Sequence, residues 1–348
     1  MRCSLVALAP VASALMQFRA PLIADGYAAK TAGDALLVYL PGFDGANLAP
    51  FLQWPALHDA GFDVRCASID EDDRSTFDEL VKAASSYIER EACDRPCLLV
   101  GESFGGALAT VVAQQASNVV EGVVLVNPAT CYAESALASK APPILELPAW
   151  AYYVGLASLL PLFVDRHGVR ALFDIVTNKR LPCVIETPRQ EAYMGRVALS
   201  LPERIARMPR GTLVWRLREW LDVGAKVDVG ALKQPTLVVF GDEDNTLPSE
   251  REAARVVALL TKARAVRVPG AGHAATLGSR VDLRAEVAAF FGAEPGFSFL
   301  AGAPRKMRAD ASQDGEASSL YGLYPRTHAP VAVFDYFNAE NDARVGVR

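Results

Sequence analysis

The stretch LLVGESFGGALA, Leu98 to Ala109, constrains this chain more than any other. Its apolar run from Cys97 to Val100 suits a strand buried on both faces, and the small apolar residues from Ala107 to Ala113 suit a helix packed closely on it. Ser103 falls on the turn between them, flanked by Gly101 and Gly105. So sharp a turn strains the backbone at its apex, and only glycine at the flanking positions lets strand and helix approach without a Cβ clash. The pentapeptide is a nucleophile-elbow pattern, GxSxG. Taken alone it also fits a glycine-rich turn with an incidental serine, so the rest of the chain has to decide.

Strand-like apolar runs recur at Ala35–Leu40, Asp63–Ala67, Cys97–Val100, Gly122–Val126, Thr236–Phe240 and Ala265–Val268. Between or after them, Leu48–Ala60, Ser75–Glu91, Phe104–Ala116, Ser249–Lys262 and Arg280–Phe291 carry apolar residues at three- and four-residue spacing. This alternation predicts an α/β fold with a mostly parallel central sheet, helices on both faces, and functional groups at the carboxyl ends of the strands. The core is expected over 34–131 and 235–292. With 348 residues, 51% of them hydrophobic, the chain can bury such a core.

The alternation breaks over 132–234, where leucine-, tryptophan- and tyrosine-rich helical patterns predict an inserted helical cap. Its most apolar part, Pro148 to Val164, carries no charge, which suits contact with a membrane surface or a greasy substrate wall. Pro161, with Glu146 and Pro148 just ahead, favours a cap helix over a spanning one. Residues 1–33 hold no acid before Asp25 and read equally as a targeting segment or as the first strands. Residues 293–348 mix glycine, proline, serine and charge and read as a tail, partly irregular. A net charge of -5 without a dense basic block argues against nucleic acid as a partner. The scattered cysteines lack zinc-like spacing, and the glycines lack dinucleotide or phosphate-loop spacing, so neither metal nor cofactor is expected.

A serine hydroxyl is a poor nucleophile at neutral pH and needs a base, which in turn needs an acid to orient it. The chain has four histidines. His58 precedes a strand, His167 lies in the cap and His328 in the tail, whereas His273 follows the last strand in VRVPGAGHAATL and is the expected base. In chain order the acid belongs between serine and histidine. The loop GDEDNTLP after TLVVF offers Asp242, Glu243 and Asp244; Asp244 is expected, with Asp242 in reserve. An oxyanion hole needs two backbone donors, one after the nucleophile and one from an earlier loop. Phe104 supplies the first, and Phe43 in YLPGFDGANL the second.

The ordered segments LPGFDG, GESFGG, NPAT, GDEDNTLP and GAGH resemble the α/β-hydrolase superfamily from about Ala35 to Phe291. LVYLPGFDGANL, DVRCASIDEDDRSTFDELV, GESFGGALA and VLVNPATCYAESAL look closest to a plant and algal branch of plastid esterase/lipase/thioesterase proteins that includes the phytyl ester synthases. The resemblance implies a plastid enzyme, or otherwise a cytoplasmic one, moving fatty acyl groups from lipid or thioester donors to phytol, diacylglycerol or water. It carries over Ser103, Asp244 and His273 as the triad, and Pro41 stands where many superfamily members have histidine, as in the branch. Many branch members also possess a carboxyl-terminal acyltransferase-like domain with a histidine and an aspartate four residues apart. The residues after Phe291 do not match it, so diacylglycerol is the acceptor with least support; His58 and Asp63 show the spacing, but away from the expected site. Three functions stay open: a serine acyl enzyme for lipid-like chains, a small-ester hydrolase or peptidase of the same fold, and a binding protein without the chemistry.

Overall fold

The computed structural model describes residues 16–23, 27–30, 34–46, 49–93, 95–159, 162, 209–277 and 281–300. Seven strands form one sheet in the order β1-β3-β2-β4-β5-β6-β7. They are β1 (Gln17–Arg19), β2 (Ala35–Leu40), β3 (Phe62–Ser68), β4 (Cys97–Glu102), β5 (Val120–Val126), β6 (Thr236–Gly241) and β7 (Ala263–Val268). All neighbours pair in parallel except β1, which runs antiparallel to β3 at the edge. A short first strand therefore stands within 1–33, and the six apolar runs are the six parallel strands.

Every residue of β2, β4 and β6 is buried, as expected where helices cover both faces. Leu36, Val38, Leu40 and Leu99 enter one core with α2 (Phe77–Ala92) and α3 (Phe104–Gln115). Leu37, Tyr39, Leu98 and Val100 enter the other with α1 (Trp54–Asp59) and Leu283, Val287 and Phe291. Local signals set the helix starts. Thr76 and Glu79 cap the α2 N-terminus reciprocally, so it begins at Phe77 rather than Ser75. The helix expected over Leu48–Ala60 is a 3-10 turn, Ala49–Leu52, followed by the short α1. Pro50 and Pro55 account for the break, because neither can donate to a continuous ladder.

Between β5 and β6 the described residues form helices without a strand: α4 (Ala136–Leu145), α5 (Ala149–Ala157) and α6 (Arg210–Arg216), the last running into a wide turn at Leu217–Leu221. The apolar segment Pro148 to Val164 is described only in part, and α5 has nine residues. Among the described residues no helix is long and apolar enough to cross a membrane. After β6 come α7 (Ser249–Leu259) and α8 (Leu283–Phe291), each beginning where the sequence supplies a stop for the preceding loop: Pro248 before α7, and Asp282, whose side chain caps the Ala285 amide, before α8.

Candidate active site

Ser103 sits between the last residue of β4 and the first of α3 with φ 52° and ψ −117°. A residue with a side chain holds such a conformation only where its surroundings over-determine it. Here its amide donates to the Val126 carbonyl at 2.9 Å, and its carbonyl accepts from the amides of Gly106 at 2.9 Å and Ala129 at 2.8 Å. The flanking glycines have a steric cause. A Cβ on Gly101 would stand 2.2 Å from the Gly105 carbonyl oxygen, and one on Gly105 would stand 2.1 Å from that of Leu40. Both obstacles are backbone, so nothing could swing aside.

His273 lies in the loop after β7, with Nε2 3.0 Å from Ser103 Oγ and Nδ1 3.0 Å from Asp244 Oδ2. A proton on Nδ1, donated to Asp244, leaves Nε2 as the acceptor facing the hydroxyl. Asp244 is in turn held by the amides of Thr246 at 2.8 Å and Leu247 at 3.1 Å and by the Ser249 hydroxyl at 2.5 Å. Burial opposes its charge, but the neighbouring imidazole and these donors outweigh burial and keep the carboxyl below its ordinary value. Burial likewise opposes charge on His273, and Asp244, followed by Glu102 and Asp44, outweighs it and raises the imidazole above its ordinary value. Asp242, the reserve acid, points elsewhere: it accepts from Arg267 Nε at 2.8 Å and from the Gly270 amide at 2.6 Å.

The other expected residues close the site. Phe104 is the first residue of α3, so its amide has no carbonyl four residues back within the helix. Phe43 lies in the loop after β2, which runs close beside the serine: a Cβ on Gly42 would stand at van der Waals distance, 3.6 Å, from Ser103 Cβ. Gly45 turns the same loop with φ 75°, and its carbonyl accepts from the Ile69 amide at 2.9 Å. His58 bonds the Ala28 carbonyl at 3.0 Å, and Asp63 is occupied by Arg65 and Arg95, so that pair forms no second centre. His167 and His328 lie outside the described residues.

Three supporting residues escaped the sequence reading. Asn127, fully buried at φ 40°, donates from Nδ2 to the carbonyls of Gly272 and His273 and accepts the Gly241 amide at 3.0 Å on Oδ1. It thereby ties the end of β6 to the loop that carries the imidazole. Its signal was an asparagine before proline at a strand end, in NPAT. Ser249, read as the start of a helix, also anchors Asp244. Glu102, next to Ser103, accepts from the Tyr39 hydroxyl at 2.7 Å, and burial chiefly raises its carboxyl to about 7 despite that bond and the nearby imidazole.

With this geometry in place, the model of the alpha/beta hydrolase family matches residues 16–290. The chain belongs to the alpha/beta hydrolase family. It is an enzyme of the hydrolase/acyltransferase kind. Among curated proteins this alpha/beta hydrolase is 30% identical over 254 residues to Phytyl ester synthase 1, chloroplastic, of Arabidopsis thaliana, covering 71% of the chain and 35% of that protein. It is 28% identical over 272 residues to Phytyl ester synthase 2, chloroplastic, of the same plant, covering 73% and 37%. The match therefore spans little more than a third of those relatives' length. Among solved structures, MenH from S. aureus superposes with a TM-score of 0.55 at 16% identity, over 80% of this chain and 98% of that one. The esterase RhEst1 from Rhodococcus sp. ECU1013 gives 0.53 at 16% identity, over 80% and 94%. At that identity the structural neighbours attest the fold alone.

Proposed function

We propose that this hydrolase is a serine acyl enzyme acting on lipid-like esters or thioesters. Ser103 Oγ attacks the acyl carbonyl while His273 Nε2 takes its proton, and Asp244 holds the resulting imidazolium. The amides of Phe43 and Phe104 receive the developing oxyanion. When the C–O or C–S bond breaks, the leaving alcohol or thiol takes the proton from Nε2, and the acyl group remains as an ester on Ser103. An acceptor hydroxyl, from phytol, another alcohol or water, then gives its proton to Nε2 and attacks that ester, which returns Ser103 to its starting state. The observation that carries this reading is the unbroken series of two 3.0 Å contacts, Ser103 to His273 to Asp244, at a serine whose φ is 52°.

The lipid-like substrate is supported by the charge-free segment Pro148 to Val164 and by the names of the curated relatives. Plastid localisation and peripheral membrane contact belong to the same reading. The first draws on the relatives' designation as chloroplastic, and the second on Trp150 and Val154, one turn apart on α5 and 84% and 74% exposed.

The test incubates the purified protein with acyl esters and acyl thioesters of increasing chain length, with and without phytol. Long-chain donors are expected to be consumed fastest, with phytyl ester as product when phytol is present. A preference for the shortest esters would instead favour a small-ester hydrolase or peptidase. Absence of both turnover and fluorophosphonate labelling would overturn the acyl-enzyme reading and favour a binding protein.

A further inference from the structure

The most deeply buried cation near the site comes from the insertion between β5 and β6. Arg216 ends α6, enters the wide turn Leu217–Leu221 and has no exposed surface. Such wide turns interrupt an α-helix at a cost and recur where a side chain has to be aimed. Burying a guanidinium is also costly unless its donors are met, which gives its partners particular weight.

Two partners are main-chain carbonyls that hold the loop after β2 in place. Arg216 Nη1 donates to the Phe43 carbonyl at 3.1 Å, and Nη2 donates to the Asp70 carbonyl after β3. The loop is built around this group: a Cβ on Gly45 would stand 3.0 Å from Nη1 and 2.6 Å from the Ile69 carbonyl oxygen. The gripped carbonyl and the N–H of Phe43 belong to peptide planes that meet at one Cα, so holding the first plane anchors one end of the two torsions through which the second is aimed.

The third partner is aromatic. The guanidinium carbon lies 4.2 Å from the Trp220 ring centroid, and Trp220 stacks on Phe104 at 4.6 Å with the planes 14° apart. Trp220 cannot slide freely, because its Nε1 donates to the Ser75 carbonyl at 2.8 Å. Phe104 is further wedged by the edge of Phe77 at 5.9 Å. One guanidinium is thus linked to both residues assigned as oxyanion donors, to Phe43 by a hydrogen bond and to Phe104 only through the intervening Trp220 ring.

We propose that Arg216 is a positioning residue that aligns the two oxyanion donors and makes the insertion an integral part of the catalytic centre. The proposal rests on the assignment of Phe43 and Phe104 under the function proposed above. Burial lowers the guanidinium to about 10, against the carboxylates of Asp44, Asp73, Glu71 and Asp70, so it stays cationic at neutral pH. A lysine here would keep the charge but present a single point donor, unable to span two carbonyls and lie flat on the indole.

The deciding experiment compares the native protein with Arg216→Lys and Arg216→Met on an ester it turns over. It measures kcat, KM, inhibition by a trifluoromethyl ketone that forms a tetrahedral adduct on serine, and thermal melting. Misaimed donors are expected to lower kcat by about 10- to 100-fold in Arg216→Lys, less than the loss of a whole donor, with KM changed by less than about threefold. Ketone affinity is expected to fall in parallel with kcat, and Arg216→Met to lose more. A kcat within about twofold of native, a loss confined to KM, or unchanged ketone affinity would overturn the proposal. So would failure of both variants to fold, which would make Arg216 a folding residue. Ser103→Ala is the control for the underlying reading: if it still takes up a fluorophosphonate, the acyl-enzyme assignment fails, whatever Arg216 does.

Discussion

The two halves of the sheet edge each bring one buried carboxylate into electrostatic reach of the same imidazole, and they shift its carboxyl in opposite directions. On the β6 side, Asp244 is met by two amides, a hydroxyl and the imidazole, and its carboxyl is held low. On the β4 side, Glu102 is also buried, its carboxylate accepts from the Tyr39 hydroxyl, and its carboxyl rises to about 7. Burial penalises charge in both places; at Asp244 the adjoining imidazole, followed by its hydrogen-bond donors, outweighs that penalty, and at Glu102 the Tyr39 hydroxyl and the imidazole do not. The difference suits the two positions. In the proposed mechanism Asp244 has to stay anionic throughout turnover, whereas raising the Glu102 carboxyl limits how much further negative charge holds the imidazole protonated.

The halves also differ in how they are built. The β4 side is shaped by close backbone approach within a few residues, at Gly101 and Gly105. The β6 and β7 side depends on long-range ties, with Asn127 gripping the carbonyls of Gly272 and His273 from the end of β5.

The sharpest way to break the first contrast is Asp244→Asn, which keeps the shape and removes the charge. The wrong imidazole tautomer then faces Ser103, and kcat is expected to fall by about 10³ to 10⁴, measured on a soluble ester. If kcat stays within tenfold, Asp244 is not the orienting acid. Next in size is Gly105→Ala, which drives a methyl into the Leu40 carbonyl. It is expected to cost more than about 4 kcal/mol of stability or to abolish folding, read by thermal melting and circular dichroism. A native-like melt would show that the elbow relaxes more easily than its contacts imply.

The finest effect comes from Glu102→Gln. In the native protein the raised imidazole makes kcat/KM fall as pH drops through a value above the ordinary histidine one. Glu102 contributes to that rise, so the variant's acid limb is expected to move to lower pH, by less than about one unit. Stability should respond as well. The folded state keeps its proton on Glu102 up to about 7, while the unfolded chain releases it near 4.5, so stability falls as pH rises through that window. Glu102→Gln is expected to flatten that slope in urea titrations across the same pH range. An unaltered slope would mean that Glu102 titrates like an ordinary carboxylate, and an unaltered acid limb that its charge does not reach His273.

Much of this molecule was legible in the residues because its signals are local. Six parallel strands, all but the edge strand β7 largely buried, announced themselves as apolar runs, and the GESFGG turn pointed to Ser103. Chain order then pointed to His273 and to the GDEDNTLP loop. Harder to read was the choice within that loop. Asp242 and Asp244 are two residues apart and of one type, and only the folded chain shows Arg267 taking one and His273 the other. The edge strand Gln17–Arg19 was also hidden, because three residues are too few to display a period.

By itself, then, the sequence determined the order of strands and helices, the strained serine turn and the short set of residues able to serve as base and acid, since each follows from the shape or chemistry of a few neighbours. The tertiary structure decided between the chosen Asp244 and the reserve Asp242, showed that burial raises the Glu102 carboxyl, and brought Arg216 to the Phe43 carbonyl 173 positions away. Those outcomes depend on which groups converge on one buried atom, and convergence between distant segments leaves no trace in the spacing along the chain.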